Sequence, residues 1–467
     1  MKGIKGIPGI LFIFISILSY SQPVTRYTIQ KKTVSGSGAV VSAHPLASKA
    51  GLDMLKQGGN AIDAVIATQL ALAVVYPGAG NLGGGGYLVA RLKNGKNVVI
   101  DYRETAPAKA SRDMYLDDAG IPIKKLSLRG YLACGVPGTV AGLFASLKYA
   151  KLPFKTLIGP AILLAEKGFA ITDSQAKSLN AQRKEFIMYN RNPVAFVKDS
   201  LWKGGDILIQ ADLANTLKRI RNNGQKGFYE GTTAKLIADD MKNNNGIITT
   251  DDLKGYRIAE RKVLAFNYKG YEILTMPLSS SGGIMLQQMM KMIENRNIGA
   301  MGFHTAGSVQ LMIEVERRTF ADRAQYLGDN DFVQVPLKKL LSFEYLQERM
   351  NDYVPGKAGN SVTIKAGNIN TSEHTTHISI LDREGNAVSV TTTLNDSYGS
   401  QVIIKGAGFL MNNEMDDFSV KEGYPNMYGA VGNAANAITP GKRMLSCMTP
   451  TIVLKNKKPF IIVGTPG

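Results

Sequence analysis

Residues Ala61 to Val75 constrain the fold more than any other stretch of the chain. They read Ala-Ile-Asp-Ala-Val-Ile-Ala-Thr-Gln-Leu-Ala-Leu-Ala-Val-Val. Asn60 is a good N-cap and Pro77 stops the run, so the pattern predicts a helix. Apolar residues fall on nearly every face, and such a helix has to be covered all round. It belongs inside a layered fold. Strand patterns flank it at Gly38–Ser42, Tyr87–Leu92 and Val98–Tyr102, and a hairpin is expected around Lys269-Gly270. Further helices are expected across Lys155–Asp251 and over Ile284–Glu294 and His304–Tyr326. Strands and helices alternate throughout, which gives an α/β or layered α+β class.

The 467 residues are 44% hydrophobic, enough for a substantial core. Formal net charge is +18. Lys and Arg are dispersed, with no long run, no zinc-finger spacing and no aromatic–basic RNA motif, so the charge reads as a basic surface and no nucleic-acid partner is expected. Residues 1–21 have the layout of a signal peptide. Lys2 and Lys5 precede the short apolar run Ile7–Leu18, and Ser19 and Ser21 follow. The run is too short for a good membrane span, and no Cys near its exit suggests a lipid anchor. A periplasmic or secreted protein without a membrane anchor is expected. Cys134 and Cys447 are too few for a disulfide framework. The four histidines show no metal-ligand spacing, so no metal site is expected.

The chemistry concentrates late in the chain. Gly356–Thr371 reads as an exposed linker leading to His374-Thr375. Thr375 heads one strand pattern, and Ala387–Leu394 forms a second. Between them, Arg383-Glu384-Gly385 makes a good three-residue loop, with Gly where a left-handed residue is required. Centring the hairpin on Glu384 pairs Asp382 with Asn386 and sets Thr375 opposite Thr393. A cut before Thr375 would expose an α-amine of pKa about 8 beside its own hydroxyl, so one residue would hold nucleophile and base. A Thr-rich strand pair is also ordinary sheet chemistry, and these residues alone leave both readings open. Upstream, Gly80-Asn81-Leu82-Gly83-Gly84-Gly85-Gly86-Tyr87 has no Gly-Lys-Ser/Thr and precedes a strand, so it signals close backbone approach and not a phosphate loop. Arg103-Glu104 ends a strand and fits either a solvated loop or a site.

Thr375-Thr376-His377 with Asn386 to Asn395 resembles the γ-glutamyltranspeptidase (glutathione hydrolase) family. The resemblance extends over Gly80–Tyr87, Asp101-Tyr102-Arg103-Glu104, Gly135–Gly142, Ser279–Gly283, Phe320–Arg323, Asn412–Phe418 and Leu445–Pro450. It implies a four-layer αββα sandwich of the N-terminal-nucleophile hydrolase type. It also implies a precursor cut between His374 and Thr375 into a large subunit, 22–374, and a small one, 375–467, which stay together as a heterodimer. Thr375 matches the nucleophile and Thr393 its supporting hydroxyl. Arg103, Ser446 and Cys447 match the positions that hold the substrate α-carboxylate. Asn395, Glu414 and Asp417 match those that receive its α-amine, Tyr428 a lid-loop tyrosine, and Gly467 an oxyanion-hole glycine. The substrates implied are glutathione and other γ-glutamyl compounds. Acceptors would be water, amino acids or peptides, and no cofactor is implied. A related amidase such as a β-lactam side-chain acylase, or an inactive binding homologue, is the alternative. Cys447 stands where a second Ser is commoner, and Leu278 where Pro is commoner. The family pattern continues past Gly467 with a second oxyanion glycine, so a C-terminally incomplete small subunit is expected.

Overall fold

A computed structural model of the protein describes residues 32–123, 125–361, 363–364 and 375–465, with Thr375 described by its backbone alone. The expected signal peptide, His374, Gly467 and much of the expected linker lie outside the described residues. The strands are β1 (Gly38–Val41), β2 (Gly85–Arg91), β3 (Asn97–Asp101), β4 (Phe169–Ala170), β5 (Ile207–Leu208) and β6 (Ala259–Glu260). They continue with β7 (Leu264–Tyr268), β8 (Tyr271–Thr275), β9 (Thr375–Asp382), β10 (Ala387–Thr393), β11 (Thr451–Lys455) and β12 (Lys458–Val463).

One antiparallel sheet runs β1-β9-β10-β2-β3-β6, and a second runs β12-β11-β8-β7. Side chains alternate across the first sheet, as a strand requires. Leu88, Ala90, Ile378, Ile380, Val388 and Val390 share one core with the helix Ala61–Val75, all 15 residues of which are buried. Tyr87, Val89, Val99 and Ala387 point the other way and meet Leu274, Ile452 and Leu454 of the second sheet. Leu264 packs beside Ile284 of the helix Gly282–Ile293 on that sheet's far side. The helix Ala306–Tyr326 joins this outer layer through Leu311 and Val315 beside Met292. The result is helix–sheet–sheet–helix, as the resemblance implies. Each large aliphatic side chain so buried contributes roughly 1.5–3 kcal/mol.

The central helix begins where its sequence predicts. Asn60 Oδ1 accepts from the N–H groups of Ile62 and Asp63, and the Asp63 carboxylate accepts from Asn60 N at 2.7 Å. The helix also takes a cap from a distant residue, because Ala61 N donates to Asp382 Oδ2 at 2.9 Å. Asp382 opens the hairpin turn between β9 and β10. Its Oδ1 accepts from Glu384 N and Asn386 N, and Gly385 adopts φ +87 as the loop demands. The register follows, with Thr393 opposite Thr375.

One boundary shifts. The helix expected from His304 begins at Ala306. His304 has φ +52, which no helix accommodates, and Thr305 Oγ caps the helix by accepting from Ser308 N. No helix among the described residues is long and apolar enough to cross a membrane.

Candidate active site

The sheet order brings four strand ends together. β9 starts where its neighbour β10 ends, and β10 ends where β2 starts, with Thr393 opposite Gly85. β2 starts where β3 ends, with Tyr87 opposite Asp101. Thr375, Thr393, Arg103 and the glycine run therefore lie at one end of the sheet. The glycines act by close approach: a Cβ on Gly84 would sit 2.2 Å from Thr393 O. Asn81 fills the space thus kept. Its Nδ2 donates to Thr393 O at 2.8 Å, while its Oδ1 accepts from Gly84 N and from Thr139 Oγ. The end of β10 is fixed by these bonds. Thr393 Oγ accepts from Asn395 N at 2.7 Å. Asn395 adopts φ +76, and its Nδ2 donates to Asn413 O, which leaves Oδ1 as an acceptor.

A buried charge cluster stands beside this end. Arg103 is 1% exposed. Its Nη1 lies 2.6 Å from Glu414 Oε2 and its Nη2 2.5 Å from Asp417 Oδ2. Glu414 and Asp417 lie on one 3-10 turn, which projects both toward the guanidinium. Burial disfavours the Arg103 charge, but the two carboxylates more than restore it, and its pKa stands well above the ordinary guanidinium value. A third carboxylate, Glu104, lies 3.7 Å from Arg103 Nη1. Burial pushes Glu104 up to about 8, against the pull of Arg103. The sequence left Arg103-Glu104 undecided between loop and site; both are fully buried here.

The remaining assigned residues surround the cluster. Ser446 is 1% exposed, and its Oγ accepts from Met448 N. Cys447 follows it, half-buried, with Ser281 Oγ at 3.7 Å from its Sγ. Tyr428 is buried in the loop that folds back over the site, and its N–H donates to Asn426 Oδ1. Asn426 Nδ2 donates to Asp417 Oδ1, which ties that loop to the cluster. Arg103, Asn395, Glu414 and Asp417 are thus gathered with Thr393, Ser446, Cys447 and Tyr428 around one end of the sheet. Gly467, His374 and the Thr375 side chain are outside the described residues.

The γ-glutamyltranspeptidase family model matches residues 47–467. The chain belongs to the γ-glutamyltranspeptidase family. It is 46% identical over 435 residues to the glutathione hydrolase proenzyme of Escherichia coli (strain K12), covering 92% of this chain and 75% of that protein. It resembles the Helicobacter pylori γ-glutamyltranspeptidase structure with a TM-score of 0.69 at 44% identity, over 72% of this chain and 97% of that one. A cephalosporin acylase from Bacillus halodurans aligns with a TM-score of 0.77 at 25% identity, over 96% of this chain and 80% of that one.

In this member of the γ-glutamyltranspeptidase family the candidate site rests on supports that residue-by-residue reading missed. Asp101 is fully buried, and it holds Arg103 N on Oδ1 and Ser279 Oγ on Oδ2. It also pairs with Arg261 and Arg443. Tyr256 donates to Arg103 O at 2.8 Å. The three serines 279–281 grip the loop that carries Ser446: Ser281 N and Oγ both donate to Ser446 O, and Ser280 Oγ donates to Met448 O. The serine run was a visible motif, but its partners lie some 165 residues away. Cys134 is a buried thiol, and burial pushes it up to about 12.

Proposed function

We propose that this protein cleaves γ-glutamyl amide bonds, glutathione among them, and passes the γ-glutamyl group to water or to an amino acid or peptide amine. The observation that carries this is the buried Arg103–Glu414–Asp417 cluster beside the Thr375–Thr393 pair. A γ-glutamyl head carries an ammonium and a carboxylate on one carbon. Its ammonium suits Glu414, Asp417 and Asn395 Oδ1. Its carboxylate suits Arg103, whose rigid fork binds carboxylates bidentately, with Ser446 and Cys447 beside it.

Maturation comes first. Thr375 Oγ attacks the His374 carbonyl carbon, the acyl group shifts from nitrogen to oxygen, and water hydrolyses the resulting ester. The freed α-amine of Thr375 then takes the Oγ proton as Oγ attacks the γ-carbonyl of the substrate. Backbone N–H groups at Gly467 receive the oxyanion. Collapse expels the leaving amine, which takes that proton, and the γ-glutamyl ester goes to water or to an acceptor amine. Nucleophile and base come from one residue, so the reading requires no cofactor. The pattern of residues 1–21 supports export, to the periplasm or beyond the cell.

The test uses the full-length protein, including any sequence that follows Gly467 in the natural chain. Wild type should show two bands on a denaturing gel and should release p-nitroaniline from γ-glutamyl-p-nitroanilide, faster when glycylglycine is added. Thr375→Ala should give one band and no release; wild-type turnover by that variant would end its role as nucleophile. Arg103→Ala should raise KM by about 100-fold, because the substrate α-carboxylate loses its charge-assisted partner, worth roughly 1.5–3 kcal/mol. The acylase reading makes the opposite forecast for the head group. If a glutaryl anilide, which lacks the ammonium, outpaces the γ-glutamyl anilide, that reading wins.

A further inference from the structure

The head-group cluster has an imbalance of charge. Arg103 faces both Glu414 and Asp417. A zwitterionic head adds no net charge, so one guanidinium against two carboxylates leaves a buried negative excess before and after binding. A second cation near the carboxylate side would cancel it.

Arg323 has the position. It lies on the helix Ala306–Tyr326 and is 6% exposed. Its Nε donates to Ser281 Oγ at 3.0 Å, and that hydroxyl donates to Ser446 O at 2.6 Å. The same hydroxyl lies 3.7 Å from Cys447 Sγ. One hydroxyl therefore separates this guanidinium from the turn that faces the α-carboxylate. Arg323 also lines a small cavity of about 10 Å³ with Asp417, Asn426, Asn436 and Leu445, beneath the loop that carries Tyr428.

Arg323 differs from a structural arginine on the same helix. Arg318 is as deeply buried, and its guanidinium is fully engaged: Nε donates to Arg349 O, Nη1 to Glu314 and Nη2 to Asp352. Among the described residues Arg323 makes no ion pair and no hydrogen bond other than the one from Nε. A buried charge without a counter-ion is costly, and a fold that needed only the bond to Ser281 would be served by a neutral donor. Both Nη groups are left to bind an anion.

We propose that Arg323 is the second guanidinium of the head-group pocket and binds the substrate α-carboxylate together with Ser446 and Cys447. This rests on the γ-glutamyl reading above. It makes the pocket two cations against two anions, a neutral site for a zwitterion.

The test compares γ-glutamyl-p-nitroanilide with its α-carboxamide analogue, on mature two-chain wild-type enzyme and variants. Arg323→Gln should raise KM for the carboxylate substrate by about 10-fold or more, the loss of a charge-assisted pair, and hold kcat within about threefold, since the contact is already made in the ground state. KM for the carboxamide should stay within about twofold, because it offers no charge to lose. Arg323→Lys, which keeps the charge but not the fork, should fall between. An equal rise for both substrates would mark Arg323 as structural and overturn the proposal, as would no rise for the carboxylate. If Arg323→Gln does not mature, Arg323→Lys decides: an unchanged carboxylate-to-carboxamide ratio of kcat/KM overturns it. Wild type without γ-glutamyl turnover would sink the underlying reading instead, and this assignment with it.

Discussion

Glu104 stands beside Arg103, so its charge state bears on the site. It is fully buried, and among the described residues no other residue donates a hydrogen bond to its carboxylate oxygens. Its one ion-pair partner, Arg103, is held more closely by Glu414 and Asp417. At neutral pH the carboxyl is therefore mostly protonated, with burial pushing it up to about 8 and Asp417 and Asp101 adding to the push. The linkage follows from this direction. A carboxyl raised from 4.5 to about 8 on folding stabilises the fold fully below 4.5, and that contribution is lost as pH rises through 8. Glu104→Gln copies the neutral form in shape and does not titrate. The unfolding free energy of wild type, measured by urea titration, should fall relative to Glu104→Gln between pH 5 and 8, by an amount on the order of a few kcal/mol, and level off above. Parallel curves would mean that Glu104 is ionised in the fold. Cys447 gives a second prediction at this scale. A thiol is a weak donor, so Cys447→Ser should lower KM for γ-glutamyl-p-nitroanilide by about two- to fivefold, within the worth of one added hydrogen bond.

The β9–β10 hairpin is the element that sets Thr375 opposite Thr393, and Asp382 anchors it. Its carboxylate accepts from Glu384 N, Asn386 N, Asn386 Nδ2 and, across the layers, Ala61 N. Asp382→Ala should destabilise the protein by roughly 3 kcal/mol or more, since buried donors left unpaired cost about 1–3 kcal/mol each. Self-cleavage should slow with it, because the turn no longer fixes Thr375 opposite Thr393. Urea unfolding and the rate of band conversion on a gel measure the two effects. A variant as stable as wild type would remove Asp382 from this role. The hairpin also shows what sequence could and could not give. Its register was legible because strand side chains repeat every two residues and Gly385 marks the loop. The tie from Asp382 to Ala61 was not, because 321 residues separate them. The glycine run announced a close approach without naming Thr393 O as the backbone it meets. Arg103, Glu414 and Asp417 were individually visible, but their mutual pairing depends on a 3-10 turn and a strand end that no local pattern links.

At the scale of the whole molecule, the proposed cut divides two sheets without separating them. β9 and β10 lie between β1 and β2 in the first sheet, and β11 pairs with β8 in the second. The pieces on either side of residue 374 should therefore co-elute under native conditions and part only in denaturant. The two sheets also meet at a buried polar seam. His377 hydrogen-bonds Thr391 Oγ through Nδ1 and Ser379 Oγ through Nε2, and Ser379 Oγ donates to Ile462 O of β12. Burial lowers His377 from 6.5 to about 4, so the fold holds it neutral. Stability from this group is full above 6.5 and is lost as pH falls through 4, where the unfolded chain has already taken up the proton. The loss approaches roughly 3 kcal/mol. Glu104 works in the opposite sense over an overlapping range, so the wild-type acid profile alone mixes the two. Comparison with His377→Gln separates them, because Glu104 titrates alike in both proteins. The urea midpoint of wild type should drop relative to His377→Gln between pH 6.5 and 4.5. A constant gap would mean that His377 is charged within the fold, and that the seam between the sheets accommodates an imidazolium.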